Sequence, residues 1–114
     1  MAIPKKLREL ILKRDGHCLH CATDDDTLVV HHRRGRGLGV SKLLDTADNL
    51  MTVCAAYNGA MESDPRVANQ ARAWNHKIPV WEKENLPVFD RAGGWWYLHA
   101  DGSKVQADWT DAAF

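Results

Sequence analysis

Hydrophobic residues follow helical spacing in some parts of the chain and form short β-type runs in others. Apolar positions within residues 5–13 recur at helical intervals after a proline, which predicts a first helix. Short segments rich in β-branched residues at 28–30 and 50–53 predict two strands. Two further helices are predicted, one from Cys54 to about Ser63 and one over 65–73.

The pattern changes after about residue 76, where helical spacing gives way to extended segments separated by turn signals. Pairs such as Gly93-Gly94 are typical of tight turns between strands. The extended segments are predicted at 78–81, 86–89, 95–98 and 104–106. We therefore expect a β-rich C-terminal extension over 77–106, arranged as a small meander, and a loose tail over 107–114.

Length and composition predict a single α+β domain over residues 1–114. The chain has 114 residues, of which 45% are hydrophobic, so a packed core is expected and disorder is not. No apolar run is long enough to span a membrane, and the N-terminus does not resemble a signal peptide. Three cysteines are too few for a disulfide scaffold, which favours reduced thiols and a cytoplasmic location.

The formal net charge is zero, but the charge is unevenly distributed. Residues 1–43 hold nine Lys or Arg and five Asp or Glu, a net of +4, whereas residues 44–114 have a net of −4. Contact with phosphate depends on the local basic patch, because more distant charges are screened at physiological salt. A nucleic-acid partner is therefore compatible with the first part of the chain.

An ordered set of polar residues occupies the first half of the chain, and packing alone does not require it. The set begins with a C-x-x-C pair, continues with a histidine doublet and an asparagine before the second strand, and ends with a cysteine and an asparagine. Its members are Cys18, Cys21, His31, His32, Asn49, Cys54 and Asn58. Adjacent residues on a strand point to opposite sides, so one histidine can bind metal while the other acts as a base.

In order and spacing, this set resembles the HNH nuclease family over roughly residues 7–63. The loop His31–Gly37 and the later Pro-Val and Trp segments also look similar to small HNH proteins of actinobacterial phages. The resemblance implies a ββα-metal core with an N-terminal helix and an appended C-terminal β-meander. It also implies a phage-encoded endonuclease or nickase that cuts double-stranded DNA in the host cytoplasm with Mg²⁺ or Mn²⁺.

The resemblance also assigns roles to individual residues. His31 matches a metal ligand and His32 matches the general base. Asn49 matches the asparagine that bonds main chain across the loop and orients the base. Asn58 stands where the family usually has histidine, so the pattern is H-N-N, and its amide oxygen suits a hard, weakly bound cation. Candidates for phosphate contacts in the glycine-rich loop are Arg33, Arg34, Arg36 and Lys42.

The likeness departs from the family at the zinc knuckle, where four cysteines normally close a structural site. Tyr57 replaces the fourth cysteine, and a phenol is a poor zinc ligand. We expect Cys18, Cys21 and Cys54 to cluster around a buried Tyr57, without stoichiometric zinc. The alternative is zinc held by the three thiolates, with His17, His20 or water as the fourth ligand.

Two other functions compete with the nuclease hypothesis. The first is a retired HNH fold that binds DNA, or a phage or host protein, without cutting. The second is a sequence-specific DNA-binding module, which we rank last because no recognition helix rich in Arg, Asn and Gln is visible. The five tryptophans suit core packing better than base stacking, and the run Asp24-Asp25-Asp26 suits a solvated loop.

Overall fold

The computed structural model describes residues 3–35 and 44–108. Within these residues the chain forms a mixed α+β fold with three α-helices and two small antiparallel sheets. The elements are α1 (Lys5–Asp15), β1 (Leu28–His32), a short 3₁₀ turn (Ala47–Asn49), β2 (Leu50–Cys54), α2 (Ala55–Ser63), α3 (Pro65–Ala73), β3 (Val88–Asp90), β4 (Gly94–Leu98) and β5 (Lys104–Gln106).

The first sheet is a hairpin-like pair whose register determines where the histidines lie. Strands β1 and β2 run antiparallel, with Leu28 opposite Cys54 and His32 opposite Leu50. All five residues of β2 are buried, and four of them are apolar. The histidine doublet therefore ends β1 next to the start of β2, and Cys54 ends β2 next to the start of α2.

The far edge of β2 is covered by the segment around the end of α1. The main-chain N–H of Thr52 donates to the carboxylate of Asp15 at 2.9 Å, and its carbonyl accepts from Leu19 at 3.1 Å. Arg14 pairs with Asp15 and donates to the carbonyls of Ala47 and Leu50. These bonds satisfy an edge that a two-stranded sheet would otherwise leave open.

Helix boundaries follow ordinary capping signals. Gly16 ends α1 in the left-handed conformation, with φ of 74°. The Cys54 thiol accepts from the main-chain N–H of Tyr57 at the start of α2. Asp64 caps α3, whose first residue is Pro65.

The second sheet is a three-stranded meander in the order β3-β4-β5. Its first strand begins at Val88. The segment 78–81, predicted to be extended, contains an isolated bridge between Ile78 and Arg34 followed by a turn. Val88 and Leu98 of the meander share one apolar cluster with Met51 and Val53 of β2. The two sheets therefore pack against a common core. The part of the predicted tail from residue 109 onwards lies outside the described residues.

Candidate functional site

A cavity of about 400 Å³ lies at the end of β1, and the histidine doublet forms part of its wall. Helices α2 and α3 and the segment after α3 complete the lining. Its described lining residues are His31, His32, Arg33, Gly35, Glu62, Arg72, Lys77, Ile78 and Pro79. We call this space the histidine cavity.

His31 is a buried, neutral imidazole whose ring has one hydrogen bond within the described part of the chain. Its Nε2 lies 2.8 Å from the main-chain carbonyl of His76. Because a carbonyl only accepts, Nε2 must carry the proton, which leaves a lone pair on Nδ1. Burial lowers the pKa of His31 to about 4. At neutral pH, Nδ1 is therefore able to accept a hydrogen bond or bind a cation.

His32 forms a pair with a carboxylate that the sequence analysis did not single out. Its Nε2 lies 2.7 Å from Oδ1 of Asp45, and both side chains are largely buried. The ionised carboxylate favours the tautomer with the proton on Nε2, so Nδ1 is left as a base. A carboxylate in this position also stabilises the imidazolium that forms when the base takes up a proton.

Asn49 joins the two ends of the segment between the strands. Its Oδ1 accepts from the main-chain N–H of Arg34 at 2.8 Å. Its Nδ2 donates to the carbonyl of Arg34 at 3.2 Å and to that of Leu44 at 3.0 Å. Arg34 follows His32 by two residues, and Leu44 directly precedes Asp45. The buried amide of Asn49 therefore holds together the two segments that carry the His32–Asp45 pair.

Arg33, a predicted phosphate contact, is a buried residue that binds main-chain carbonyls in the structure. Arg33 is 1% exposed, and its guanidinium donates to the carbonyls of Asn75, Asp48 and Leu86. Burial lowers its pKa to about 9. Each guanidinium nitrogen of Arg33 donates to a main-chain carbonyl, so the side chain ties the segments around the histidine cavity together.

Arg34 also supports the fold, because its guanidinium donates to the carbonyls of Glu82 and Glu84 at 2.8 Å each. Arg36 and Lys42 lie outside the described residues. Among the described residues, the cations that line the histidine cavity are Arg72 and Lys77, together with the buried Arg33. Arg72 and Lys77 were not distinguished by the sequence, since an arginine or lysine near a helix end is more often solvated.

Helix α2 contributes Glu62 to the cavity wall, rather than Asn58, among the described residues. Asn58 is half-buried one helical turn earlier. The Glu62 carboxylate lies 3.6 Å from the ammonium of Lys77 and is close enough to His31 to favour its charged form. The cavity wall therefore contains an anionic oxygen, from Glu62, beside the neutral imidazole of His31. The sequence did not indicate Glu62 as a site residue.

The three cysteines cluster, as predicted from their positions. The sulfur atoms of Cys18, Cys21 and Cys54 all lie within 4.8 Å of one another, a spacing that could hold a metal ion. Burial raises the pKa of Cys18 to about 11. For Cys21, burial acts to raise the pKa, but hydrogen bonds from Thr23 and the neighbouring thiols outweigh it and lower the pKa overall. We call this group the thiol cluster.

Tyr57 is buried beside the thiol cluster, as predicted, but its hydroxyl bonds elsewhere. It is 4% exposed, and the hydroxyl lies 2.6 Å from Nδ1 of His76. The ring of His20 stacks on Tyr57 at 3.8 Å, while its Nε2 bonds Gln70. His17 bonds both carboxylate oxygens of Asp90. Neither histidine belongs to the group of ligand atoms around the three sulfurs in the described part of the chain.

Comparisons with known proteins give no relative for this chain: no family model, no curated protein and no solved structure matches it. The site therefore has to be interpreted from its own geometry. Among the described residues, no helix has both the length and the apolar character needed to cross a bilayer.

Proposed function

We propose that the protein is a divalent-metal-dependent DNA endonuclease or nickase, with a ββα-metal site of the H-N-N type at the histidine cavity. The observation that supports it most strongly is the His32–Asp45 pair beside the neutral ring of His31. A hydrolase of phosphodiesters needs a base for water and positive charge near the phosphate. Packing alone would not favour two adjacent histidines that each bond a different partner, His31 the carbonyl of His76 and His32 the carboxylate of Asp45.

The donor groups of the cavity fit a hard or borderline divalent cation. His31 offers a neutral nitrogen and Glu62 a carboxylate, whereas the expected ligand Asn58 lies one helical turn before Glu62 and is not among the described lining residues. When bound, such a cation would supply charge to stabilise the developing phosphorane and the leaving oxygen. Few anionic protein ligands imply weak binding, with phosphate oxygens and water completing the coordination.

The residues of the chain then have separate tasks. His32 accepts the proton of the attacking water at Nδ1, while Asp45 holds the ring and stabilises its positive charge. Asn49 keeps the segments that carry these two residues together. Arg72 and Lys77 are the candidate phosphate contacts among the described residues, in place of Arg33.

A second candidate function is a retired nuclease fold that binds DNA or a protein. The observation that favours it is the structural use of Arg33 and Arg34, which leaves fewer cations for a DNA backbone. It predicts binding without cleavage.

Nicking of supercoiled plasmid in Mg²⁺ or Mn²⁺ distinguishes the two functions. We expect wild-type protein to nick DNA and His32→Ala to lose at least ~10²-fold, the usual contribution of a general base. His99→Ala, which removes a histidine near the β4–β5 turn, is the matched control and should keep full activity. Equal activity in His32→Ala and wild type, or DNA binding without any divalent-dependent cleavage, would reject the nuclease proposal.

A further inference from the structure

His76 is a fully buried histidine whose four polar groups each have a partner in a different part of the fold. Its main-chain N–H donates to Ala71 at 2.8 Å, and its carbonyl accepts from Nε2 of His31 at 2.8 Å. Its ring contacts the Tyr57 hydroxyl at 2.6 Å through Nδ1 and the Phe89 carbonyl at 2.7 Å through Nε2. One residue therefore joins α3, β1, α2 and β3.

The donor and acceptor in each of these ring contacts can be assigned. Because the Phe89 carbonyl only accepts, Nε2 of His76 carries a proton. Burial lowers the pKa of His76 to about 3, so the ring is neutral and Nδ1 accepts from the Tyr57 hydroxyl. The Tyr57 hydroxyl therefore donates to the His76 ring, and His31 donates to the main-chain carbonyl of the same residue.

The ring bonds restrict the position of the His76 main chain. An unsatisfied polar group in a core is costly, so a shift of residue 76 would be penalised at both ring nitrogens. The rings of Tyr57 and Trp74 also pack edge-on against His76, each at 5.6 Å between ring centroids. The His76 carbonyl, and with it the acceptor for His31, is therefore held in one place.

We propose that His76, anchored by the Tyr57 hydroxyl, is a positioning residue that fixes the tautomer and orientation of His31. The fixed carbonyl keeps the His31 proton on Nε2 and leaves Nδ1 with a lone pair that can bind a ligand. This also gives the Tyr57 hydroxyl a role: it bonds His76, the partner of His31, whereas only the main chain of Tyr57 bonds a sulfur of the thiol cluster. The consequence for cation binding rests on the proposed function, but the tautomer of His31 does not.

Tyr57→Phe tests the proposal with the smallest change, because it removes one hydroxyl and keeps the aromatic ring stacked on His20. Tyr97→Phe is the matched control, since it removes the hydroxyl of the chain's other tyrosine, on β4. His76→Leu is a harsher variant that risks unfolding, so Tyr57→Phe is the deciding one. Thermal unfolding of each variant separates loss of the fold from loss of positioning.

Two measurements on metal-free and Mn²⁺-titrated protein give the result. Long-range ¹⁵N–¹H spectra report histidine tautomers without any need for activity. We expect His31 to be a single Nε2–H tautomer in wild type and Tyr97→Phe, and a mixture in Tyr57→Phe. Mn²⁺ binding, followed by electron paramagnetic resonance, should weaken about 10-fold in Tyr57→Phe, the usual effect of losing support behind a metal ligand.

The possible outcomes separate the two proposals. If Tyr57→Phe is folded and keeps the wild-type tautomer of His31, the positioning role is rejected. A lower melting temperature without a tautomer change also rejects it, because Tyr57 would then be only a packing residue. If wild-type protein neither binds Mn²⁺ nor nicks DNA, the nuclease proposal fails, while the tautomer shift still supports the role of His76.

Discussion

The thiol cluster and the histidine cavity are held in place by different kinds of contact. Two of the three cysteines lie in one tight turn, in which Ala22 donates to Cys18 and Cys18 donates to Thr23. The third cysteine is the last residue of β2, and this strand is hydrogen-bonded to the turn through Leu19 and Thr52. The thiols therefore come together mainly through local geometry and the register of one strand.

The histidine cavity depends instead on hydrogen bonds from the two histidine side chains to single acceptor atoms in other segments. The acceptor for His31 lies 45 residues away, and the acceptor for His32 lies 13 residues away, across the loop. Each of these polar groups is buried and satisfied by a specific atom. The contrast indicates that loss of a single tertiary hydrogen bond should impair the cavity, whereas the thiol cluster should tolerate it.

Among the substitutions that test this difference between the two regions, Asn49→Ala is expected to have the largest effect on stability and cleavage. The substitution removes three hydrogen bonds and leaves part-buried main-chain groups of Arg34 and Leu44 without their Asn49 partner. We expect a loss of about 2–3 kcal/mol in the free energy of unfolding, measured in urea, and loss of cleavage. Asn69→Ala, on the exposed face of α3, should change stability by less than about 0.5 kcal/mol. Equal effects of the two variants would contradict the role of Asn49 in holding the two segments together.

Asp45→Asn should affect activity more than stability. The change keeps the shape of the side chain but removes the charge that favours Nε2–H and stabilises the imidazolium of His32. We expect about a 10²-fold loss in the rate of plasmid nicking. Asp24→Asn, in an exposed loop, should nick at the wild-type rate. Retention of full activity in Asp45→Asn would show that the Asp45 carboxylate does not contribute to cleavage.

Acid should destabilise the fold through the histidines around the cavity. Burial lowers the folded-state pKa values of His76 and His31 to about 3 and about 4, below the ordinary 6.5. The unfolded chain therefore binds more protons below pH 6.5. Their stabilisation is complete above pH 6.5 and falls toward those folded values, on the order of 1 kcal/mol per pH unit for each histidine. Urea unfolding from pH 7 to 5 measures this slope.

His76→Gln provides the comparison for the acid effect, because glutamine offers similar hydrogen-bonding atoms but does not titrate. We expect a shallower dependence of stability on pH in this variant. A slope that matches wild type would show that other groups cause the acid sensitivity.

The smallest effect is expected at the thiol cluster. Because the described residues supply three sulfurs and the Tyr57 hydroxyl bonds His76, we expect a chelator to leave the melting temperature unchanged. In a closed structural site, metal binding contributes on the order of 10 kcal/mol to folding, and chelation would unfold the domain. One tightly held zinc ion per chain in elemental analysis would contradict this prediction and would identify a three-thiolate site with an additional ligand.

The clustering of the three cysteines was predicted only from the resemblance to the HNH family. Local sequence patterns were enough to predict the helices, the central strand pair and the meander. These features depend on periodicity, capping residues and turn signals, which act over a few residues. Helix α3 begins and ends at the predicted residues because Asp64, Pro65 and its apolar face all favour the same boundaries.

The surroundings of the histidines could not be predicted from local sequence patterns. Asp45, Glu62 and His76 carry no local signal that distinguishes them from solvated residues, and Arg33 could not be recognised as buried from its basic, glycine-rich context. Their roles arise where α3 and the following segment pack against the end of β1. Burial and hydrogen-bond geometry at such a junction depend on chain segments far apart in sequence, which local patterns do not encode.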